Sequence, residues 1–376
     1  MNKYLFILGL VGTALLSACS SDDLMTDLSP EEERALVVEA SQDSDVPITL
    51  GVASSRGVTR GPLTGGDFST EDGKYLGVFC LATGYQASYE DNHPIANKWK
   101  DDNTGLLVRM SNVPASVLAG NVIFKNSEAT ANQTYYYPMG NWMKYNFYAY
   151  YPWKVTTASS PSISDNTVVE VNYEIDGTHD IIWGKTTPPA GDAFSAKYFR
   201  EIVPSETPQF NFEHKLVQFR FFVKAADSDV ATNVKITNMY ISNAIYKLKL
   251  IVADKREGIA NKNGELRTGD DPFRNEMNIK QLSGGNKDEN RFDGTIGNAL
   301  DITTDDVDLN AEPVGYLMLP KHTVYGQTEK YQLCLNWAKK VDDVFIEQVD
   351  PIRYELNDDF AEGKIYNIVV TVNPEP

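Results

Sequence analysis

The feature that most constrains this chain is a rhythm. Short runs rich in Val, Ile, Tyr and Phe recur along most of its length, each cut off by Gly, Pro, Asn or Asp. YLGVFCLA, YNFYAYYP, VVEVNYEI, FNFEHKLVQFRFFVK, VKITNMYIS, YKLKLIVA, VGYLMLP, KYQLCLNW and KIYNIVVTV are examples. Runs of this length and composition favour strands over helices, and their spacing predicts sandwiches of antiparallel strands. Several alternate with period two. Val217, Phe219, Phe221 and Val223 share one face while Gln218, Arg220 and Lys224 share the other, with Phe222 out of phase. Leu248, Leu250 and Val252 likewise oppose Lys247 and Lys249. One face packs and the other meets water.

A chain of 376 residues has room for two domains, each with its own core. The Pro-containing stretch IVPSETPQF, residues 202–210, is the expected boundary. The predicted layout is a signal peptide over 1–18, an acidic tether and first strand over 19–60, an N-terminal sandwich over 61–207 and a C-terminal sandwich over 208–376. The polar, Gly-rich residues 254–298 predict long loops.

The amino-terminal residues read as an export signal. Lys3 supplies the positive end, residues 5–16 an apolar stretch, and LSAC places small residues before Cys19. LSAC also resembles a bacterial lipobox, which makes Cys19 the predicted lipid anchor, since several acyl chains on one residue hold a membrane stably. The acidic SSDDL that follows resembles the signal that sends some lipoproteins to the outer face of the outer membrane. A polar, acidic tether follows, with a helix-like patch, SPEEERALVVEA, that Ser29 caps and Pro30 opens. No later apolar run is long enough to predict a second membrane element.

A net charge of −18 offers no basic stripe for phosphates, so a nucleic-acid partner is not expected. Gly184, Lys185 and Thr186 lack the glycine-rich cradle of a phosphate loop and read as an ordinary turn. DDVDLNAE, residues 305–312, alternates oxygen ligands but has neither the central glycine nor the late glutamate of a calcium loop. His93, His179, His214 and His322 are scattered without metal-ligand spacing. No nucleophile elbow or distinguished acid/base pair is present. No catalytic residue, metal ligand or cofactor is therefore predicted. Cys80 and Cys334 each lie in an apolar run, as buried thiols or as a bridge in an oxidising compartment. The aromatic stretch TYYYPMGNWMKYNFYAYYPW, residues 134–153, suits core packing better than a sugar-stacking platform, although both readings stand.

One juxtaposition is unusual. The alternating run VPITLGVA, with Val46, Ile48, Leu50 and Val52 on one face, is followed by the small-residue loop SSRGVTRGPL, which carries Arg56 and Arg60. Burying four aliphatic side chains is worth roughly 6 to 12 kcal/mol, which rivals the typical stability of a whole domain, about 5 to 15 kcal/mol.

The lipobox, this strand and Arg-containing loop, then GKYLGVF, WMKYNFYAYYPW, DIIWGK, FNFEHKLVQFRFFV and the closing EGKIYNIVVTV occur in an order that resembles the fimbrillin family of type V pilins, Mfa-like and FimA-like, over most of the chain. The resemblance implies two transthyretin-like antiparallel β-sandwiches in tandem and a surface lipoprotein precursor of a pilus subunit, with no catalytic role. It also implies cleavage after Arg60 or Arg56 by an arginine-specific protease. Arg60 lies farther from the strand, whereas Pro62 disfavours cleavage there; a cut at Arg34 would release the tether alone. Removal of Val46, Ile48, Leu50 and Val52 would open a groove for a neighbour's strand. Tyr366, Ile368, Val370 and Val372 are the candidate donor strand; the other reading is that they close their own sandwich. The implied partners are other pilin subunits, the protease, the outer membrane before processing, and host or bacterial surface ligands. A permanently anchored glycan-binding lipoprotein is the alternative, and an anchored glycan hydrolase a third.

Overall fold

The computed structural model describes residues 39, 41–53, 74–84, 99, 106–139, 144–155, 162–164, 168–188, 194–254, 262–268, 274–279, 295–321, 330–356 and 359–374. Cys19, Arg34, Arg56, Arg60, His93, His322 and most of the predicted tether helix lie outside them.

Among the described residues, eleven strands precede Lys215: β1 (Asp43–Pro47), β2 (Leu50–Val52), β3 (Leu76–Gly84), β4 (Val108–Leu118), β5 (Asn121–Phe124), β6 (Tyr136–Pro138), β7 (Lys144–Tyr151), β8 (Ser162–Ser164), β9 (Val168–Glu174), β10 (Ile182–Thr186) and β11 (Gln209–His214). Eleven follow: β12 (Val217–Ala225), β13 (Val234–Ile245), β14 (Lys247–Asp254), β15 (Leu266–Thr268), β16 (Arg274–Asn278), β17 (Leu300–Asp301), β18 (Gly315–Leu319), β19 (Gln332–Val341), β20 (Val344–Glu347), β21 (Ile352–Glu355) and β22 (Ile365–Val372). Helical structure among them is confined to short turns, such as Ser228–Asn233 and Tyr198–Ile202. The protein is all-β.

Seven strands close into a barrel in the order β10, β11, β2, β5, β4, β3, β7, with β7 returning to β10. β1 and β6 form a two-stranded ribbon. The later sheets run β18, β12, β22, then β16, β13, β19, β20, with β17 on β13 and β21 on β19. A further sheet runs β15, β14, β9, β8, so a strand from before residue 208 is bonded to one from after it. Turn chemistry sets the tight hairpins. Ala119 and Gly120 join β4 to β5, and Asp342 and Asp343 join β19 to β20, all four at positive φ as two-residue turns require.

Two apolar clusters form. The first packs on both faces of the barrel wall, with Tyr145 and Phe147 on one face and Phe79, opposite Tyr148 in register, on the other; it also includes Tyr137, Phe194, Phe210, Val171 of β9 and Leu250 of β14. The second gathers Phe219, Phe221, Ile236, Leu333, Leu335 and Val372. In the aromatic stretch, Tyr137, Tyr145, Phe147, Tyr148, Tyr150 and Tyr151 are buried. Stacking geometry among Tyr137, Phe199 and Phe194 binds these rings to one another, with centroids at 5.3 and 6.0 Å.

Two local expectations change. Gly184, Lys185 and Thr186 lie within β10, not in a turn, because both flanks of that strand are paired, to β7 and to β11. Gln218, expected on the wet face, is buried beside the start of the last strand, where its amide donates to the Lys364 carbonyl at 3.0 Å.

Candidate functional site

The candidate site is the pair of seats that hold the chain's first and last described strands. Nearly every strand pairing among the described residues is antiparallel. The two exceptions are β2 on β11 and β22 on β12, and β11 and β12 are consecutive in sequence.

The leading segment is two strands, because Pro47 has no N–H to continue the ladder of β1. Its alternation nevertheless persists from Ser44 to Leu50: Ser44, Ile48 and Leu50 are buried, while Asp43, Asp45, Pro47 and Thr49 are exposed. Val46 and Val52 are half-buried. Two fully buried aliphatic side chains represent roughly 3 to 6 kcal/mol of apolar burial, with Val46 and Val52 adding less.

Main-chain bonds hold this segment to three elements. Ile48 donates to the Tyr135 carbonyl at 2.8 Å, Gly51 to Pro208 at 2.9 Å, Val52 to Gly120 at 2.8 Å and Ala53 to Phe210 at 3.0 Å. In register, Leu50 faces Val122 of β5 and Gly51 faces Gln209 of β11. Where the chain passes from β1 to β2 a half-open cleft of about 480 Å3 lies alongside, lined by Ile48, Leu50, Val122, Phe124, Asn132 and Gln133 among others.

Charge clasps the outer face of β1. Arg109, on β4, meets the Asp43 carboxylate, and donates from Nη1 to the Ser41 carbonyl at 3.1 Å and from Nε to the Tyr136 carbonyl at 2.8 Å. Arg200 meets Asp45, with Nε at 3.0 Å. The Arg200 hydrogen bond draws the Asp45 carboxyl below its ordinary value, and burial pulls Arg109 below the usual guanidinium range.

The last strand, β22, pairs with β12 along its whole length, from Gln218 opposite Ile365 to Ala225 opposite Val372. Val370 and Val372 are buried, and Tyr366 and Ile368 pack half-buried on the second cluster. Phe360 stands edge-on to Phe219 at 4.7 Å and to Tyr366 at 4.9 Å, closing the strand's leading end. Among the described residues no strand pairs with the other edge of β22.

The two seats meet at residues 214–216. Buried Asp180 accepts from the amides of Ile181 at 2.7 Å and Leu216 at 3.4 Å, and meets Nδ1 of His214. Burial pushes its carboxyl up against the opposing pull of His214. Lys215 Nζ lies 2.7 Å from Glu362, and Gly363 donates to the Leu216 carbonyl at 2.9 Å, which fixes the start of β22.

Cys80 and Cys334 are buried free thiols. Residues 305–312 form a largely exposed loop in which Asp306 reaches Lys224 at 3.5 Å. Among the described residues, no three His, Cys, Asp or Glu side chains come together as metal ligands, and no helix is long and apolar enough to cross a membrane. Sequence reasoning missed Arg109, Arg200, Asp43 and Asp45 as partners. The period-two pattern carried upstream from Val46 would have placed both aspartates on one strand face, but nothing local marks the two arginines.

The model of the fimbrillin-like family matches residues 70–375. No curated protein matches the chain. Solved structures similar to it include a candidate cell adhesion protein from Bacteroides uniformis ATCC 8492, at 15% identity and TM-score 0.44, covering 87% of this chain and 93% of that one. Another candidate cell adhesion protein, from Parabacteroides distasonis ATCC 8503, matches at 9% identity and TM-score 0.43, covering 90% of each chain. The fimbrial anchor protein Mfa2 from Porphyromonas gingivalis matches at 8% identity and TM-score 0.33, covering 86% of this chain and 90% of that one.

Proposed function

This chain belongs to the fimbrillin-like family, and from that premise we propose that it is a structural subunit of a bacterial surface fimbria that supports adhesion and carries no catalytic chemistry. It reaches the cell surface as a lipoprotein anchored in the outer membrane through Cys19. An arginine-specific protease then cuts after Arg60 or Arg56, and the segment bearing Val46, Ile48, Leu50 and Val52 leaves. A strand from a neighbouring subunit takes its place, so that subunits join head to tail in an open filament.

The observation that carries this reading is the seat of the leading segment. Ile48 and Leu50 are buried between β5, β6 and β11, yet the segment is joined to the rest of the chain only through residues 54–73, which include both arginines. A strand so placed can be separated by a single cut. What it leaves is an apolar groove flanked by unpaired backbone groups, which favours a replacement. Tyr366, Ile368, Val370 and Val372 are the part of this chain offered as a donor strand in turn.

Limited digestion of the chain beginning at residue 20 with an arginine-specific protease, followed by intact mass and size-exclusion chromatography, tests the proposal. The expected result is one cut after Arg60 or Arg56, with the body intact, followed by growth into oligomers. Resistance at both arginines, or an inert cleaved monomer, overturns it.

A further inference from the structure

The clasp on β1 differs from an ordinary surface ion pair. Only 14% of the Arg109 side chain is exposed, and two of its three polar partners, the Asp43 carboxylate and the Ser41 carbonyl, belong to the leading segment. The third, the Tyr136 carbonyl, lies on the strand that receives β1. A cation so desolvated needs a compensating anion; Asp43 is itself 62% exposed, so it is removal of Asp43 that would leave a buried charge, Arg109, uncompensated. Arg200 and Asp45 are more exposed and contribute position more than energy. Asp43 and Asp45, two residues apart, share the outer face of the strand, so the two guanidiniums read a spacing as well as a charge.

We propose that Arg109 and Arg200 form a cationic reader for whichever strand occupies this seat. They select a pair of carboxylates two residues apart on that strand's outer face, so the preferred occupant after the leader departs is a strand of another subunit type that carries such a pair, with this chain's own closing strand the weaker substitute. Charge complementarity supports that choice of occupant. The outward positions of this chain's own closing strand are Ile365, Asn367, Val369 and Thr371, and none is acidic. The clasp itself stands on the geometry; the incoming strand rests on the proposed assembly.

The test has two arms on the chain beginning at residue 20. In the first, hydrogen exchange of the amides of residues 43–46 and 48 is compared in the wild type, Asp43→Asn and Arg109→Gln, with residues 217–225 as the internal reference. Each substitution is expected to speed exchange in the leader roughly tenfold or more without changing the reference. Unchanged exchange in Asp43→Asn overturns the clasp.

In the second arm, the chain is cut with an arginine-specific protease and challenged with three synthetic strands: residues 43–53, the same peptide with Asn at both aspartates, and residues 364–372. The acidic peptide is expected to bind roughly tenfold or more tightly than either of the others, and Arg109→Gln to erase its advantage. Equal binding of the acidic and amide peptides, or tighter binding of residues 364–372, overturns the choice of partner. A chain that resists the protease overturns the assembly reading and the incoming strand with it, while the exchange arm still decides the clasp.

Discussion

Gly264 lies flat against the indole of Trp183: a β-carbon at 264 would stand 2.5 Å from Trp183 Cε3, and the residue holds φ at +76°. The same indole donates to the Val252 carbonyl of β14 at 2.9 Å, so one side chain from β10 fastens the turn before β15 to the barrel. Gly264→Ala combines left-handed strain of about 1 to 2 kcal/mol with a steric overlap that neither rigid ring nor backbone can relieve. Chemical denaturation should show a loss of at least about 2 kcal/mol. A neutral result would mean that the turn is free to move off the ring.

Leu50 is almost fully buried and Thr49 beside it is exposed. Leu50→Ala should cost about 2 to 5 kcal/mol, whereas Thr49→Ala should stay within about 0.5 kcal/mol. Urea unfolding of the uncleaved chain separates the two. Equal, small effects would show that the leading segment contributes nothing to the stability of the barrel.

Asp180 predicts a pH signature. Burial raises its folded-state pKa above the ordinary 3.8, against the pull of His214 and the amides of Ile181 and Leu216; Tyr173 also feels its charge. A carboxyl raised on folding contributes stability that is fully present below the unfolded value and is lost as pH rises through the folded one. The stability of the wild type relative to Asp180→Asn should therefore fall as pH is raised from about 3.8. A difference that grows over that window would mean that the His214 pairing outweighs burial.

The two thiols give a chemical test. Cys80 and Cys334 are both free and buried, and burial pushes the Cys80 thiol up, away from the reactive thiolate. In the chain beginning at residue 20, a thiol reagent should find none in the native protein and two after unfolding. Finding none after unfolding would mean that the cysteines are bridged.

Much of the strand content was legible in sequence because period-two patterns report directly on a buried face. The pairing of those strands was not. FNFEHKLVQFRFFV reads as one strand, with no Gly or Pro to break it, yet the chain leaves the barrel at Lys215 and Leu216. What redirects it is remote: Asp180 holds the Leu216 amide, and Lys215 donates its own to the Ile181 carbonyl at 2.8 Å. The same limit hid the clasp. Arg109 looks like one charge in a strand of mixed face, and Asp43 and Asp45 look like members of an acidic tether, until β4 and β6 bring them together.

The parallel seating of both terminal strands has a mechanical meaning. β2 lies beside β11 and β22 beside β12, and β11 and β12 are one covalent stretch, residues 209–225. The shortest covalent path between the two seats therefore runs through this stretch, with β5 sharing the load on the first. Force directed along the strands shears each ladder, so that several hydrogen bonds share the load instead of opening one at a time. Rupture under load is governed by the rate of unfolding. In a filament under pull, the tensile limit of the subunit would lie in these residues, where one strand of the barrel, β11, runs on into β12 of the next sheet.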